Sequence, residues 1–221
     1  MENAQIFSYV DHTLLSPTAT TAEIFEICDQ AIQYGTASIC IPPSYVKAVK
    51  AQYMDKVNIC TVIGFPLGYS STAAKIAETK QALADGATEF DIVINITDAK
   101  NGNFDKITEE LAAVKAVIGN NILKVIIECC YLTNPEKSAL CKCVTDAKAD
   151  FIKTSTGFGT GGATLEDIRL FKQHIGPDVK IKAAGGMKTK EDFIAFINEG
   201  CSRLGTSSAV KVLTGGIANN Y

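Results

Sequence analysis

Two lysines and an aspartate interrupt apolar runs of the chain and are the first candidates for chemistry. Lys153 lies in FIKTSTGFGTGG, Lys182 in VKIKAAG, and Asp91 in EFDIVINI. Burying a charged group is costly unless the group is paired or neutral. Lys180 shares the predicted face of Lys182, but Lys182 is closer to the carboxyl end of its run, and we therefore favour Lys182 as the functional residue.

The residue types suit imine chemistry. A neighbouring ammonium group and burial both lower a lysine pKa, by up to about 3–5 units in buried sites. A neutral lysine can then attack a carbonyl carbon. We expect Lys153 and Lys182 to approach each other, with Asp91 moving protons directly or through water. The alternative is a salt bridge between Lys153 and Asp91 that only orders the protein interior.

The elements that must position these residues alternate along the chain. Eight short apolar runs are separated by segments with helical periodicity, which predicts parallel strands joined by right-handed crossovers. We predict an α/β fold, a (β/α)8 TIM barrel formed as one domain over 1–221, with its chemistry at the carboxyl ends of the strands. An open flavodoxin-like sheet is the alternative. The predicted strands cover 9–13, 37–41, 58–65, 89–96, 122–129, 150–155, 179–185 and 202–208.

Glycines follow the last three predicted strands, in STGFGTGG, AAGGMKT and RLGTSS. Glycine lets backbone N–H groups approach an anion, and the final strands of such barrels commonly form a phosphate site. A glycine after a strand is by itself usually a turn. Three such segments at neighbouring strand ends nevertheless favour a phosphate-binding site.

Composition excludes several classes of function. The net charge is -3 and the sequence has no basic run, so we expect no nucleic-acid partner. The longest uncharged stretch contains glycines and a proline, and we expect neither a membrane span nor a signal peptide. Eight dispersed cysteines indicate reduced thiols in the cytoplasm. With two histidines and no CxxC pair, we expect no metal and no cofactor.

Together these segments resemble the 2-deoxyribose-5-phosphate aldolases, which are class I, imine-forming lyases. The resemblance lies in FIKTSTGF with GGAT, in IKAAGGMKT and in EFDIVINI, and it continues in DHTLL, SICIPPSYV, TVIGFPLG, KVIIE and RLGTSS. These motifs occur in the family's order over nearly the whole chain. The combination is specific, whereas each motif alone is not.

The resemblance implies a role for each matching residue. Lys153 is the expected imine-forming nucleophile, Lys182 lowers its pKa, and Asp91 serves a proton relay. Asp11 and Cys40 take pocket positions on the first two strands. The residues expected to hold the substrate phosphate are Gly157, Gly185, Gly186, Gly205, Ser207 and Ser208.

The implied reaction is reversible cleavage of 2-deoxy-D-ribose 5-phosphate to acetaldehyde and D-glyceraldehyde 3-phosphate. The only partner expected is this small sugar phosphate, besides a homodimer or homotetramer of the chain. Two departures from the family pattern occur: Phe158 replaces a lysine of some members, and Lys148-Ala149 replaces a common Ala-Gly. Neither departure removes a catalytic group.

The tail TGGIANNY ends in Tyr221, as many family members end in tyrosine. A phenol can donate or relay a proton, so we expect Tyr221 to enter the pocket transiently and to assist proton transfer at the enamine carbon. A frayed chain end is the alternative.

Three other functions are alternatives for this set of residues. A transaldolase-like enzyme would use the same nucleophile but needs room for a longer donor. A metal-dependent aldolase is disfavoured because two scattered histidines do not form a usual metal cluster. A noncatalytic sugar-phosphate binder would keep the glycines without needing two lysines and an aspartate.

Overall fold

The strands of the protein form a closed barrel. The computed structural model describes residues 1–216. Its strands are β1 (Val10–Thr13), β2 (Ser38–Ile41), β3 (Ile59–Ile63), β4 (Glu89–Val93), β5 (Ile122–Ile126), β6 (Phe151–Lys153), β7 (Lys180–Ala184) and β8 (Arg203–Thr206). Each strand pairs in parallel with the next, and β8 pairs with β1. The predicted (β/α)8 barrel is confirmed, and the open sheet is wrong.

Helices lie between consecutive strands and cover the outside of the barrel. Within residues 1–216 they are α1 (Asn3–Phe7), α2 (Thr21–Tyr34), α3 (Val46–Tyr53), α4 (Thr72–Ala84), α5 (Ile96–Lys100), α6 (Phe104–Ile118), α7 (Asn134–Asp146), α8 (Leu165–His174), α9 (Lys190–Glu199) and α10 (Ala209–Leu213). In this described range, every helix is too short or too polar to cross a bilayer.

Hydroxyl side chains fix where several of these helices begin. The side chains of Thr20, Ser71, Thr164 and Thr189 each accept a hydrogen bond from a backbone N–H in the first helical turn. These N–H groups have no acceptor within the helix, so a capping oxygen stabilises the first turn. These four side chains therefore stabilise the first turns of α2, α4, α8 and α9.

Strand β4 is shorter than predicted. The sequence indicated a strand over 89–96, but the side chain of Asn95 accepts a hydrogen bond from the N–H of Thr97 and caps α5. This local bond competes with continued strand pairing. Asn95 therefore lies beyond the strand, and the predicted strand end at residue 96 is wrong.

Successive side chains along a strand point alternately to the helices outside and to the interior of the barrel. Phe90 and Ile92 belong to the large apolar core that also includes Leu111 and Val114 of α6. Asp91, between them in sequence, points the other way and forms ion pairs inside the barrel. This alternation gives the barrel a charged interior below its carboxyl-terminal mouth.

Candidate active site

The two predicted lysines are direct neighbours. Lys153 pairs with Lys182 in the register of β6 and β7, as expected for consecutive strands. Both Nζ atoms donate hydrogen bonds to Oδ2 of Asp91, each at 2.7 Å. The alternative salt bridge between Lys153 and Asp91 is thus present in the structure.

Asp91 is held on both carboxylate oxygens. Its Oδ1 accepts hydrogen bonds from Lys124 Nζ at 3.0 Å and from the Cys60 thiol at 3.1 Å. Burial alone raises the pKa of Asp91, but Lys124, Lys153 and Lys182 outweigh burial and hold the pKa well below its usual range. Asp91 is therefore an ionised and firmly oriented carboxylate.

A second layer of charges lies beneath the lysine pair. Asp11 contacts Lys182 and Arg203, each at 2.5 Å, and Lys124 contacts Glu89 at 2.6 Å. The barrel network, as we call it, consists of four cations and three carboxylates: Lys124, Lys153, Lys182, Arg203, Asp11, Glu89 and Asp91. When every member is ionised, one positive charge is in excess.

Lys182 stays cationic in this network. Burial lowers the pKa of Lys182, but the carboxylates of Asp11 and Asp91 more than compensate and raise the pKa above its ordinary value. Gly205 leaves room for the Lys182 side chain on its way to Asp11, because a Cβ at position 205 would lie only 3.0 Å from Lys182 Cε. A charged Lys182 is the state required if it is to act electrostatically on Lys153.

A cavity of about 270 Å³ opens at the carboxyl ends of the strands. Lys153 lies in its wall, whereas the other members of the barrel network are absent from that wall. The six residues predicted to hold phosphate also line it: Gly157, Gly185, Gly186, Gly205, Ser207 and Ser208. The structure thus brings the predicted nucleophile and the glycine-rich strand ends to one cavity.

One side of this cavity is apolar. Leu15 and Phe158 line it, and the Phe158 ring packs edge-on against Phe65 with centroids 5.3 Å apart. Leu15 and Phe65 continue inward to a small apolar cluster with Val62 and Cys40.

Other predicted residues have different surroundings. Asp11 and Cys40 are fully buried and lie below the cavity rather than in its wall. Lys180 is at the opposite end of β7, exposed, with its Nζ 5.8 Å from the centre of the Phe151 ring. Tyr221 lies outside the described residues, and its expected role stays a prediction.

Sequence reasoning missed three charged residues of the interior: Lys124, Arg203 and Glu128. Lys124 is fully buried and interrupts the apolar run ILKVIIEC in the same manner in which Lys153 interrupts its own run. That interruption was the available signal. Arg203 begins its strand and Glu128 follows one, and neither position distinguishes them from surface charges.

Within residues 1–216, two groups of side chains have the donor types of metal ligands: Cys40, Cys60 and Asp91, and Asp11, Cys60 and Glu89. Within each group the ligand atoms lie within 4.8 Å of one another. The carboxylates of both groups already contact the side chains of lysine or arginine. In the second group, Lys124 Nζ lies 2.6 Å from Glu89, 3.2 Å from Cys60 Sγ and 3.5 Å from Asp11, so an ammonium group already contacts all three donors.

Comparison with known proteins identifies the family of the chain. Residues 6–215 match the DeoC/LacD family aldolase model. The chain is 68% identical to a deoxyribose-phosphate aldolase of Clostridium botulinum (strain Eklund 17B / Type B) over 100% of both chains. It is 53% identical to one of Clostridioides difficile (strain 630), covering 98% of this chain and 99% of the other.

Solved structures lead to the same result. The tetrameric deoxyribose phosphate aldolase from Aeropyrum pernix superposes with a TM-score of 0.88 at 30% identity, covering 96% of this chain and 91% of that one. This chain therefore belongs to the DeoC/LacD family of aldolases, which are carbon–carbon lyases.

Proposed function

We propose that the protein is a deoxyribose-phosphate aldolase that works through an imine on Lys153. It cleaves 2-deoxy-D-ribose 5-phosphate reversibly to acetaldehyde and D-glyceraldehyde 3-phosphate, in the breakdown of deoxynucleosides. The observation that carries the proposal is the position of Lys153. Within residues 1–216, it is the member of the barrel network that reaches the cavity.

The reaction begins with the lysine. The neutral amine of Lys153 adds to the C1 aldehyde of the open-chain sugar, and loss of water gives the imine. The barrel network carries one excess positive charge when fully ionised, so one lysine can be neutral and leave the network balanced. The cationic Lys182 lies directly beside Lys153 in the register of β6 and β7.

Bond cleavage then requires proton movement. A base takes the proton of the C3 hydroxyl, the C2–C3 bond breaks, and its electron pair passes to the protonated imine, which becomes an enamine. Glyceraldehyde 3-phosphate leaves. The enamine carbon takes up a proton, and water hydrolyses the resulting imine to acetaldehyde and free Lys153. Asp91 contacts both lysines at 2.7 Å and moves these protons through water.

The phosphate is held by the glycine-rich strand ends. The cavity wall there contains Ser207, Ser208 and the glycines named above. Hydroxyl and backbone N–H donors suit a phosphate group. The functional form is one domain over 1–221 that acts in the cytoplasm as a homodimer or homotetramer. Eight free cysteines and the tetrameric neighbour support that assignment.

Reductive trapping tests the proposal. The protein is incubated with acetaldehyde and borohydride, and its peptides are mapped by mass. We expect an ethyl group on Lys153 in the wild type and none in Lys153→Arg, which keeps the positive charge but forms no imine. EDTA should not affect the labelling. A chain that gains no label would be a sugar-phosphate binder, and labelling of Lys182 alone would overturn the assignment of the nucleophile.

A further inference from the structure

We propose that Glu128 is a positioning residue that fixes the loop 156–162 in the shape needed to bind the substrate phosphate. This inference rests on the proposed function, because it assigns a task to the same cavity. Glu128 does not itself line the cavity, and it acts through Thr156.

Glu128 has an unusual backbone. It follows β5 with φ of 56°, in the left-handed region that residues with side chains adopt rarely. Such conformations persist where surrounding contacts impose them, and they cluster at functional sites. The conformation turns the Glu128 side chain towards the end of β6, where only 2% of the residue remains exposed.

The carboxylate of Glu128 binds Thr156 through two kinds of donor. The Thr156 N–H lies 3.2 Å from Oε1 and 3.3 Å from Oε2, and the Thr156 hydroxyl donates to Oε2. The same hydroxyl oxygen accepts the N–H of Phe158 at 3.0 Å. One buried carboxylate therefore anchors the first three residues of the loop.

The loop also rests directly on Glu128. A Cβ at Gly159 would lie 3.1 Å from Glu128 Cδ and 2.8 Å from Cys130 Sγ. Only a residue without a side chain allows this approach. The contact places the loop backbone at Gly159 directly against the Glu128 side chain.

This anchoring divides the backbone donors of the loop into two sets. The N–H groups of Thr156 and Phe158 are used inside the protein. Those of Gly157, Gly159, Gly161 and Gly162 have no acceptor within residues 1–216. Free N–H groups on a loop that lines the cavity are the donors that an anion needs. Glu128 holds the loop so that these donors stay available.

Steady-state kinetics with two sugars test the role of Glu128. We expect Glu128→Ala to raise KM for 2-deoxyribose 5-phosphate about tenfold and to change kcat less, because the charged hydrogen bonds shape binding rather than chemistry. The kcat/KM for unphosphorylated 2-deoxyribose should stay within about twofold of the wild-type value. The matched control is Glu166→Gln, an exposed glutamate of α8, for which we expect no change.

The partner residue provides a second readout. Thr156→Ser keeps the hydroxyl and should behave like the wild type, whereas Thr156→Val should reproduce the rise in KM. Glu128→Ala combined with Thr156→Val should be no worse than Glu128→Ala alone, because both changes remove the contact between the two side chains. Equal losses for the two sugars, or additive effects in the double variant, would overturn the proposal.

Hydrogen exchange separates this inference from the proposed function. The amides of Thr156 and Phe158 should exchange faster in Glu128→Gln than in the wild type, whether or not the protein turns over sugar. If acetaldehyde trapping fails but this difference is found, the proposed function is wrong and the anchoring role stands. If trapping succeeds and the two amides exchange at wild-type rates, Glu128 does not hold the loop.

Discussion

Lys153 and Lys182 face each other across β6 and β7 and share a single carboxylate oxygen, to which each Nζ lies at 2.7 Å. Their environments differ in two respects. Lys153 reaches the cavity, whereas Lys182 is fully enclosed. Lys182 also contacts Asp11 at 2.5 Å. The pKa of Lys182 is raised, since the two carboxylates outweigh the effect of burial. The enclosed Lys182 is thus the permanent cation, and Lys153, which is buried but lines the cavity, is the lysine that a substrate can reach.

Replacing Lys182 should remove most of the activity. We expect Lys182→Met to lower kcat at least about 100-fold, because it removes the charge beside the nucleophile and a partner of Asp91. The control is Lys180→Met, two residues away on the same strand but exposed at its other end, which should stay within about twofold of the wild type. A Lys182→Met enzyme with an unchanged pH–rate profile would contradict this role.

Lys182→Met should also lower the free energy of unfolding, which the sequence alone did not indicate. It leaves Asp11 and Asp91 with one counter-ion fewer in a fully buried site. Breaking a buried ion pair costs about 3–5 kcal/mol, so Lys182→Met should unfold at lower urea concentration. Kinetic assays therefore need a temperature at which the variant is folded, verified by circular dichroism.

Lys124 should be more important for stability than a surface lysine. Its Nζ contacts Glu89 at 2.6 Å and Asp91 at 3.0 Å, and the side chain is fully buried. We expect Lys124→Met to lower the free energy of unfolding by about 3–5 kcal/mol. Lys142→Met is the control, since Lys142 is exposed and pairs with Asp146 on α7, and it should cost under about 0.5 kcal/mol.

The free energy of unfolding that is lost in Lys124→Met should depend on pH through the pKa of Lys124. Burial lowers that pKa, but Asp11 and Asp91 more than offset burial and raise it well above its ordinary value. A raised lysine pKa contributes stability that is complete below the unfolded value of about 10.4 and is lost only as pH rises towards the folded value. Urea titrations should therefore give a constant gap between wild type and Lys124→Met from about pH 6 to 9. A gap that closes within this range would contradict the assignment.

Phosphate binding should depend on two serines of the cavity wall. The double substitution Ser207→Ala and Ser208→Ala removes two hydroxyl donors, each worth about 1.5–3 kcal/mol towards a charged acceptor. We expect KM for 2-deoxyribose 5-phosphate to rise at least about tenfold, with much less effect on 2-deoxyribose. Equal losses for both sugars would show that the serines act in packing.

Tyr221 is tested by deletion, because it lies outside the described residues. Removing it should leave borohydride trapping at Lys153 nearly intact, since the imine forms without a phenol. Exchange of the acetaldehyde methyl protons with deuterated water, followed by NMR, should become slower because the enamine carbon loses a proton donor. Exchange at the full-length rate would mean that the tail takes no part in catalysis.

Strand periodicity and strand adjacency were sufficient to predict the barrel and the Lys153–Lys182 pair. Consecutive strands of a parallel barrel must be neighbours, so two lysines on β6 and β7 had to meet. The contact between Lys182 and Asp11 reaches across β8, and it depends on the register of the strands and on the missing side chain of Gly205. Neither property is visible in a single strand.

Glu128 was beyond sequence reasoning for a different reason. Its importance comes from a left-handed backbone and from a loop that folds back over it, and both are tertiary features. The alternation of inward and outward side chains along β5 ends with the strand at Ile126, so it does not indicate where the side chain of Glu128 points. The loops at the carboxyl ends of the strands are where local patterns cease to predict side-chain positions.

Phe158 places an aromatic ring in the cavity wall, and a lysine at this position should strengthen phosphate binding. It lines the cavity, is 45% exposed, and packs edge-on against Phe65. We expect Phe158→Lys to lower KM for 2-deoxyribose 5-phosphate by about threefold to tenfold at low salt, because a new ammonium group attracts the phosphate, and the gain should shrink as ionic strength rises. Phe158→Leu is the matched control: it removes the same ring contact, worth about 0.5–1.5 kcal/mol, without adding charge. If the two variants change KM alike, or if the gain from lysine is insensitive to salt, the residue affects the shape of the cavity and not its charge.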